Sequence, residues 1–270
     1  MTQVAAIQMT SGPDVAANLY EAGRLITQAA ESGVKLVVLP ENFCLMPMRD
    51  LDRLREAEQP GNGHIQNFLA EAARRHKVWL VGGTLPLTTD NPEKCRSACL
   101  VFNDQGENVA RYDKVHLFDV ELKNLETYTE SATIEAGEKA VVVETPFGTL
   151  GLAICYDLRF PELFRQLSDM GAEILCVPSA FTSLTGSVHW EVLVRARAIE
   201  NQAFVVAAAQ GGFHVNGRET YGDSMIVDPW GRITNRLSRG PGVVLSELDL
   251  DLLGDIRKNL PSLKHRRLKC

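Results

Sequence analysis

Two patterns of apolar residues alternate along this chain. The first is a short run with apolar residues at successive positions, as in Val4 to Gln8, Leu36-Val-Val-Leu39 and Glu173-Ile-Leu-Cys-Val-Pro178. Continuous rather than alternating hydrophobicity predicts strands that are covered on both faces. The second has helical spacing. Val15, Leu19, Ala22, Leu25, Ile26 and Ala29 fall on one face, with Asp14 placed to cap the helix and Gly33 to close it. A similar strand–helix–strand unit is predicted in the second half, with a strand from Gly151 to Cys155, a helix from Pro161 to Met170 and a strand from Glu173 to Pro178. The residue identities differ too much for a repeat, so this is an architectural echo.

Between the two units the pattern predicts a helix around Ile65 to His76 and strands around Val78 to Gly82 and Ala98 to Phe102. The turn Asn103-Asp-Gln-Gly106 predicts a hairpin into Val109-Ala-Arg-Tyr-Asp-Lys114. After Pro178 come a helix from His189 to Asn201 and strands at Phe204 to Ala209, Ser224 to Val227 and Gly242 to Glu247, with a turn at Asp228-Pro-Trp-Gly231. No Pro/Gly/Ser tract or charge block separates these elements. The expectation is one α/β domain over residues 1–270, with two sheets packed together and helices outside them. The basic segment Lys264 to Lys269 reads as a solvated tail or as part of an arm, about residues 250–270, at a subunit interface.

Composition narrows the class. A length of 270 residues suffices for a sizeable core, and a net charge of −6 argues against nucleic acid as the main partner. No apolar stretch is long enough for a membrane span, and the first residues lack a secretory pattern, so a cytoplasmic protein is expected. The six cysteines, at positions 44, 95, 99, 155, 176 and 270, are too scattered for a disulfide framework and lack the paired spacing of a zinc site. Cys270 is the final residue and so cannot begin a prenylation box. Reduced thiols, no metal and no cofactor are expected.

Three strand ends then stand out. Cys155 lies where a buried strand gives way to Tyr-Asp-Leu-Arg-Phe-Pro-Glu162. Most cysteines are buried filler, but the carboxyl end of a strand in an α/β sheet faces the ligand crevice. Glu41 follows Leu-Val-Val-Leu-Pro, where a carboxylate is costly to bury without a partner. Lys114 lies in Arg-Tyr-Asp-Lys-Val-His-Leu-Phe. Each charge alone is as readily an ordinary ion pair. Together the three form a coherent nucleophilic site. Glu41 takes the thiol proton and later protonates the leaving amine. Lys114 and the Tyr156 amide stabilise the oxyanion. His116 is expected on the opposite strand face from Lys114, which leaves no histidine as base.

These segments resemble the three signatures of the nitrilase, or carbon–nitrogen hydrolase, superfamily, and the similarity runs end to end. The resemblance implies a four-layer α-β-β-α sandwich that pairs into dimers. It also implies a second glutamate, matched by Glu130 in Thr-Tyr-Thr-Glu130-Ser ahead of Glu121 and Glu126. Ser179 to Gly186, His189-Trp-Glu191, Arg195-Ala-Arg-Ala198 and Tyr221 to Gly231 are similar to the Nit-type amidases. That branch implies a small 2-oxo-acid amide as substrate, deaminated glutathione first and α-ketoglutaramate second, with Arg159 and Thr185 at the substrate's carboxylate. An N-carbamoyl amino acid amidohydrolase is the alternative enzyme, and a non-catalytic binding subunit is disfavoured because the catalytic residues are all present. A planar guanidinium suits a carboxylate, although Arg159 also has Asp157 and Glu162 as possible internal partners. Gly82-Gly83 is too short for a phosphate loop. Trp190, Trp230 and Cys176 read as packing residues, and Arg195 and Arg197 as salt bridges with Glu191 and Glu200 on one helix face.

Overall fold

The computed structural model describes residues 1–121 and 127–268. In chain order the first half contains β1 (Thr2–Gln8), α1 (Val15–Glu31), β2 (Leu36–Val38), α2 (Asp52–Arg55), α3 (His64–His76), β3 (Trp79–Val81), β4 (Leu85–Thr88), β5 (Cys95–Phe102), β6 (Asn108–Asp113), β7 (Asp119–Glu121) and β8 (Thr127–Thr129). The second half contains β9 (Val142–Thr145), β10 (Gly148–Leu152), α4 (Pro161–Asp169), β11 (Ile174–Cys176), α5 (Ser183–Asn201), β12 (Phe204–Ala207), β13 (Gly211–Phe213), β14 (Glu219–Tyr221), β15 (Ser224–Val227), β16 (Ile233–Leu237), β17 (Gly242–Leu248) and α6 (Leu250–Asn259).

Two large sheets carry the architecture. One runs β17-β1-β2-β3-β5-β4, with β6 on β5; the other runs β16-β15-β12-β11-β10-β9. The continuous apolar runs explain how they stack. In β1, Val4 and Ala6 face the second sheet, while Ala5 and Ile7 face α1 and α3. In β2, Leu36 and Val38 point inward and Val37 outward to the helices. Period-two geometry sends successive side chains to opposite faces, so both must be apolar when both are covered. Leu163, Phe164 and Leu167 of α4, with Trp190, Val194 and Ala198 of α5, cover the second sheet. The result is the expected four-layer α-β-β-α sandwich. β17 comes from the end of the chain yet pairs antiparallel with β1 over seven residues, so both halves share one sheet.

Several boundaries differ from the sequence-based expectation. The strand placed at Gly151 to Cys155 ends at Leu152, and Cys155–Arg159 forms a 3-10 turn. The parallel ladder nevertheless continues past the strand, through Ala153 N–H to Cys176 O at 3.1 Å and Cys155 N–H to Pro178 O at 2.9 Å. The helix expected from His189 begins at Ser183, because the Thr182 hydroxyl accepts from Thr185 N–H at 3.3 Å and caps it earlier. Residues 250–259 form α6. Asp249 caps it, and Arg257 ties it to its own chain through Gln202 O at 3.0 Å and Ala172 O at 2.9 Å. Arg197 is buried, unlike the exposed Arg195, and donates to Leu158 O at 2.8 Å as well as pairing with Glu200. Trp190 packs fully buried, whereas Trp230 is 54% exposed and is not a packing residue within the chain. Cys176 is buried in the core.

Candidate active site

Glu41 is held by its backbone before its side chain is considered. Leu39 N–H donates to Val81 O at 2.9 Å, Asn42 N–H donates to the Thr84 hydroxyl at 2.8 Å, and Gln210 Nε2 donates to Glu41 O at 3.0 Å. Asn42 takes a left-handed φ of 57°. Gly83 is packed so close that a Cβ there would lie 2.1 Å from Pro40 O, so only glycine permits this approach. The Gly82-Gly83 pair therefore has a structural use, in shaping the turn that carries Glu41.

Lys114 follows β6. Its N–H donates to Ser97 O at 3.0 Å, and its carbonyl accepts from Gly137 N–H at 2.8 Å. The ammonium lies 2.7 Å from Glu41 Oε1 and 2.9 Å from Glu130 Oε2. Glu130 is in turn oriented by Phe118 N–H, which donates to its Oε2 at 2.7 Å. Burial alone would lower the Lys114 pKa, but the Glu130 and Glu41 carboxylates outweigh it and hold the pKa above the ordinary value. Burial pulls Glu130 the other way, yet Lys114 and then Arg53 keep its pKa below the usual carboxylate range. Of the two competing glutamates, Glu121 ends β7 and is exposed, away from the pocket, and Glu126 lies outside the described residues.

Cys155 has φ +47°, a left-handed conformation that a non-glycine residue adopts at a cost. The Asp157 carboxylate closes this turn. It is fully buried and accepts from Ile154 N–H at 2.8 Å and the Tyr112 hydroxyl at 2.7 Å with one oxygen. Its other oxygen takes His116 N–H at 3.0 Å and the His116 Nδ1 at 2.7 Å. Tyr112 and His116 stand two residues on either side of Lys114, so one carboxylate locks the lysine segment to the cysteine turn. His116 is therefore not on a strand face at all. It sits beyond β6, stacked on Phe160 with ring centroids 3.7 Å apart. Asp157 was visible in the sequence as a flanking charge, but its role as a hub was not.

The Cys155 thiol is buried and contacts Glu41 and the Ala180 amide. Burial, and then the Glu41 charge, push its pKa well above that of a free thiol, against a smaller pull from Lys114. The resting sulfur is protonated and adjacent to a base. The Tyr156 N–H has no backbone partner among the described residues.

These groups line one open-mouthed pocket. Arg159 and Thr185 line it too, which brings every site residue expected from the sequence to one cavity. Arg159 forms no ion pair with Asp157 or Glu162 among the described residues. Its guanidinium lies 5.2 Å from the Phe181 ring and 5.8 Å from the Tyr156 ring, with Nη1 3.2 Å from His189 Nδ1. Arg53 and Arg218 also line the pocket and were not singled out by sequence reasoning. Their local patterns resemble any surface arginine. Among the described residues, no three metal-binding side chains stand close enough to hold an ion.

Known proteins share this arrangement of chain. The profile of the family described as carbon–nitrogen hydrolase matches residues 3–258. The deaminated glutathione amidase of Synechocystis sp. is 44% identical over 265 residues, covering 97% of this chain and 97% of that protein. The crystal structure of the Caenorhabditis elegans NitFhit protein aligns with a TM-score of 0.92 at 39% identity, over 98% of this chain. The chain spans 65% of that longer protein. A mutant amidase from Nesterenkonia sp. AN1, in which acrylamide has added to the active site cysteine, aligns with a TM-score of 0.81 at 27% identity, over 98% of this chain and 100% of that one.

Proposed function

This chain belongs to the carbon–nitrogen hydrolase family, and on that premise we propose that it hydrolyses the amide bond of deaminated glutathione through a thioester on Cys155. The observation that carries this reading is the buried contact of the Cys155 thiol with Glu41, whose carboxylate is 2.7 Å from Lys114.

Glu41 takes the Sγ proton as sulfur attacks the amide carbonyl, so the thiolate need never exist free in a pocket that disfavours it. The carbonyl oxygen becomes negative between the Lys114 ammonium and the Tyr156 N–H. Collapse breaks the C–N bond, and Glu41 returns its proton to the departing nitrogen of cysteinylglycine. Water then enters, loses a proton to Glu41 and attacks the thioester. The second tetrahedral species expels the Cys155 sulfur, which regains the proton, and 2-oxoglutarate leaves. Glu130 holds Lys114 in place without reacting. Arg159 and Thr185 bind the carboxylate of the acyl half.

The exposed apolar residues Leu184, Val188 and Val192 of α5, with Trp230, support pairing of two copies into a homodimer. The five unpaired cysteines among the described residues support a reducing, cytoplasmic setting. No described helix is long and apolar enough to cross a membrane.

Incubation with deaminated glutathione should release 2-oxoglutarate and cysteinylglycine in equal amounts. Cys155→Ser should lower kcat by about 10³-fold or more with the fold intact. Full activity in that variant, or turnover of N-carbamoyl amino acids but not of 2-oxo amides, would sink the reading.

A further inference from the structure

We propose that Arg53 binds the terminal carboxylate of the leaving group, so that the pocket accepts an amide charged on both sides of the scissile bond. This rests on the amidase reading above and extends it to the half of the substrate that departs first.

One buried cation of the pocket has no ion-pair partner among the described residues. Arg53 lies in α2, is only 8% exposed and lines the pocket. Its Nε is buried without a hydrogen-bond partner, and its Nη1 has one long contact, 3.4 Å from Asn42 Oδ1. Among the described residues no carboxylate lies within ion-pair distance of it. The acid of α2 itself, Asp52, is occupied by Arg49 at 3.3 Å and Arg55 at 3.6 Å, both pointing outward. A buried lysine can shed its proton, whereas a guanidinium stays charged, so an anion brought from outside would complete the close pairing that the described carboxylates leave open. The planar guanidinium fork suits a carboxylate.

Position decides which carboxylate. Glu41 must deliver a proton to the departing nitrogen, so the leaving group lies on the Glu41 side of Cys155. Arg53 stands on that side, against Asn42, the residue next to Glu41, and its charge is felt at Glu130. Arg159 stands beyond the cysteine turn with Phe181 and Tyr156. The half-buried Arg218 is stacked over the Tyr128 ring at 4.6 Å. Two separate cations therefore line the pocket that holds the thiol. Deaminated glutathione carries a carboxylate at each end, whereas α-ketoglutaramate carries one and releases only ammonia.

The test compares the parent substrate with an analogue in which the glycine carboxylate is a carboxamide, using wild type, Arg53→Gln and Arg53→Lys. In wild type the analogue should lose about 10- to 100-fold in kcat/KM, chiefly through KM, as expected for one charge-assisted pair. Arg53→Gln should lose a similar factor on the parent, and it should discriminate parent from analogue by less than about threefold. Arg53→Lys should recover part of the loss and of the discrimination. Equal wild-type rates on both substrates would overturn the subsite without any variant. So would a Gln variant that is impaired by the same factor on both, since that is the mark of a merely structural role. Failure of wild type to cleave deaminated glutathione at all would remove the substrate reading and this inference together.

Discussion

Lys114 and Arg53 are both buried cations in the same pocket, and they are treated in opposite ways. Lys114 is gripped by Glu41 and Glu130 at hydrogen-bonding distance, while among the described residues Arg53 has only a long contact to an amide oxygen. A charge that must meet a transient oxyanion has to be in place before the substrate arrives, so the protein supplies its counter-ions permanently. A charge that recognises a stable carboxylate can leave that position to the ligand. On the proposed reading, the difference separates the part of the pocket that serves chemistry from the part that serves recognition, and it is open to experiment at both ends.

The largest effect is expected at Lys114. Lys114→Met removes the oxyanion donor and leaves two buried carboxylates uncompensated. Turnover should fall by about 10³-fold or more, and stability by about 3–5 kcal/mol, measured by steady-state kinetics and denaturant titration. If Lys114→Met kept near-normal turnover, the two cations would not differ in kind.

Glu130→Gln is gentler. It should lower kcat by about 10- to 100-fold and move the alkaline limb of the pH–rate profile downward. Glu130 is the largest charge that raises the Lys114 pKa, so its loss lets Lys114 deprotonate earlier. The same substitution has a signature on stability. The Glu130 pKa is lowered in the folded state, so its contribution is present above the unfolded value of about 4.3 and fades as pH falls through the folded one. Acid unfolding of the wild type should therefore be steeper than that of the variant below about pH 4. An unchanged alkaline limb would show that Glu130 does not set the charge on Lys114.

The smallest effect belongs to recognition on the acyl side. Arg159→Lys keeps the charge but loses the planar fork and the stacking on Phe181. KM for 2-oxo-acid amides should rise by about tenfold with kcat little altered. A fall in kcat with KM unchanged would instead place Arg159 with the chemical groups.

Much of this molecule was legible in its residue order. The runs at Val4, Leu36 and Glu173 named strands with two covered faces, and Asp14 named the start of α1. The motifs around Glu41, Lys114 and Cys155, with Glu130, named the candidate site residues, and the fold brings them to one pocket. Boundaries were less legible. Thr182 capped α5 six residues early, and Cys155 left the strand in a left-handed turn that no local propensity favours.

By itself the sequence determined the layers and the inventory of reactive side chains. Both follow from local periodicity and from residue types that are costly to bury without purpose. Only the tertiary structure decided the pairing. It gave Asp157 to Tyr112, His116 and the cysteine turn rather than to Arg159, and it placed Asp52 with its outward arginines. Arg53 was thereby left in the pocket without a carboxylate at ion-pair distance among the described residues. The physical reason is that an ion pair depends on a few ångströms between groups distant in the chain. Nothing in the spacing of Arg53 along α2 records which carboxylates have already been taken.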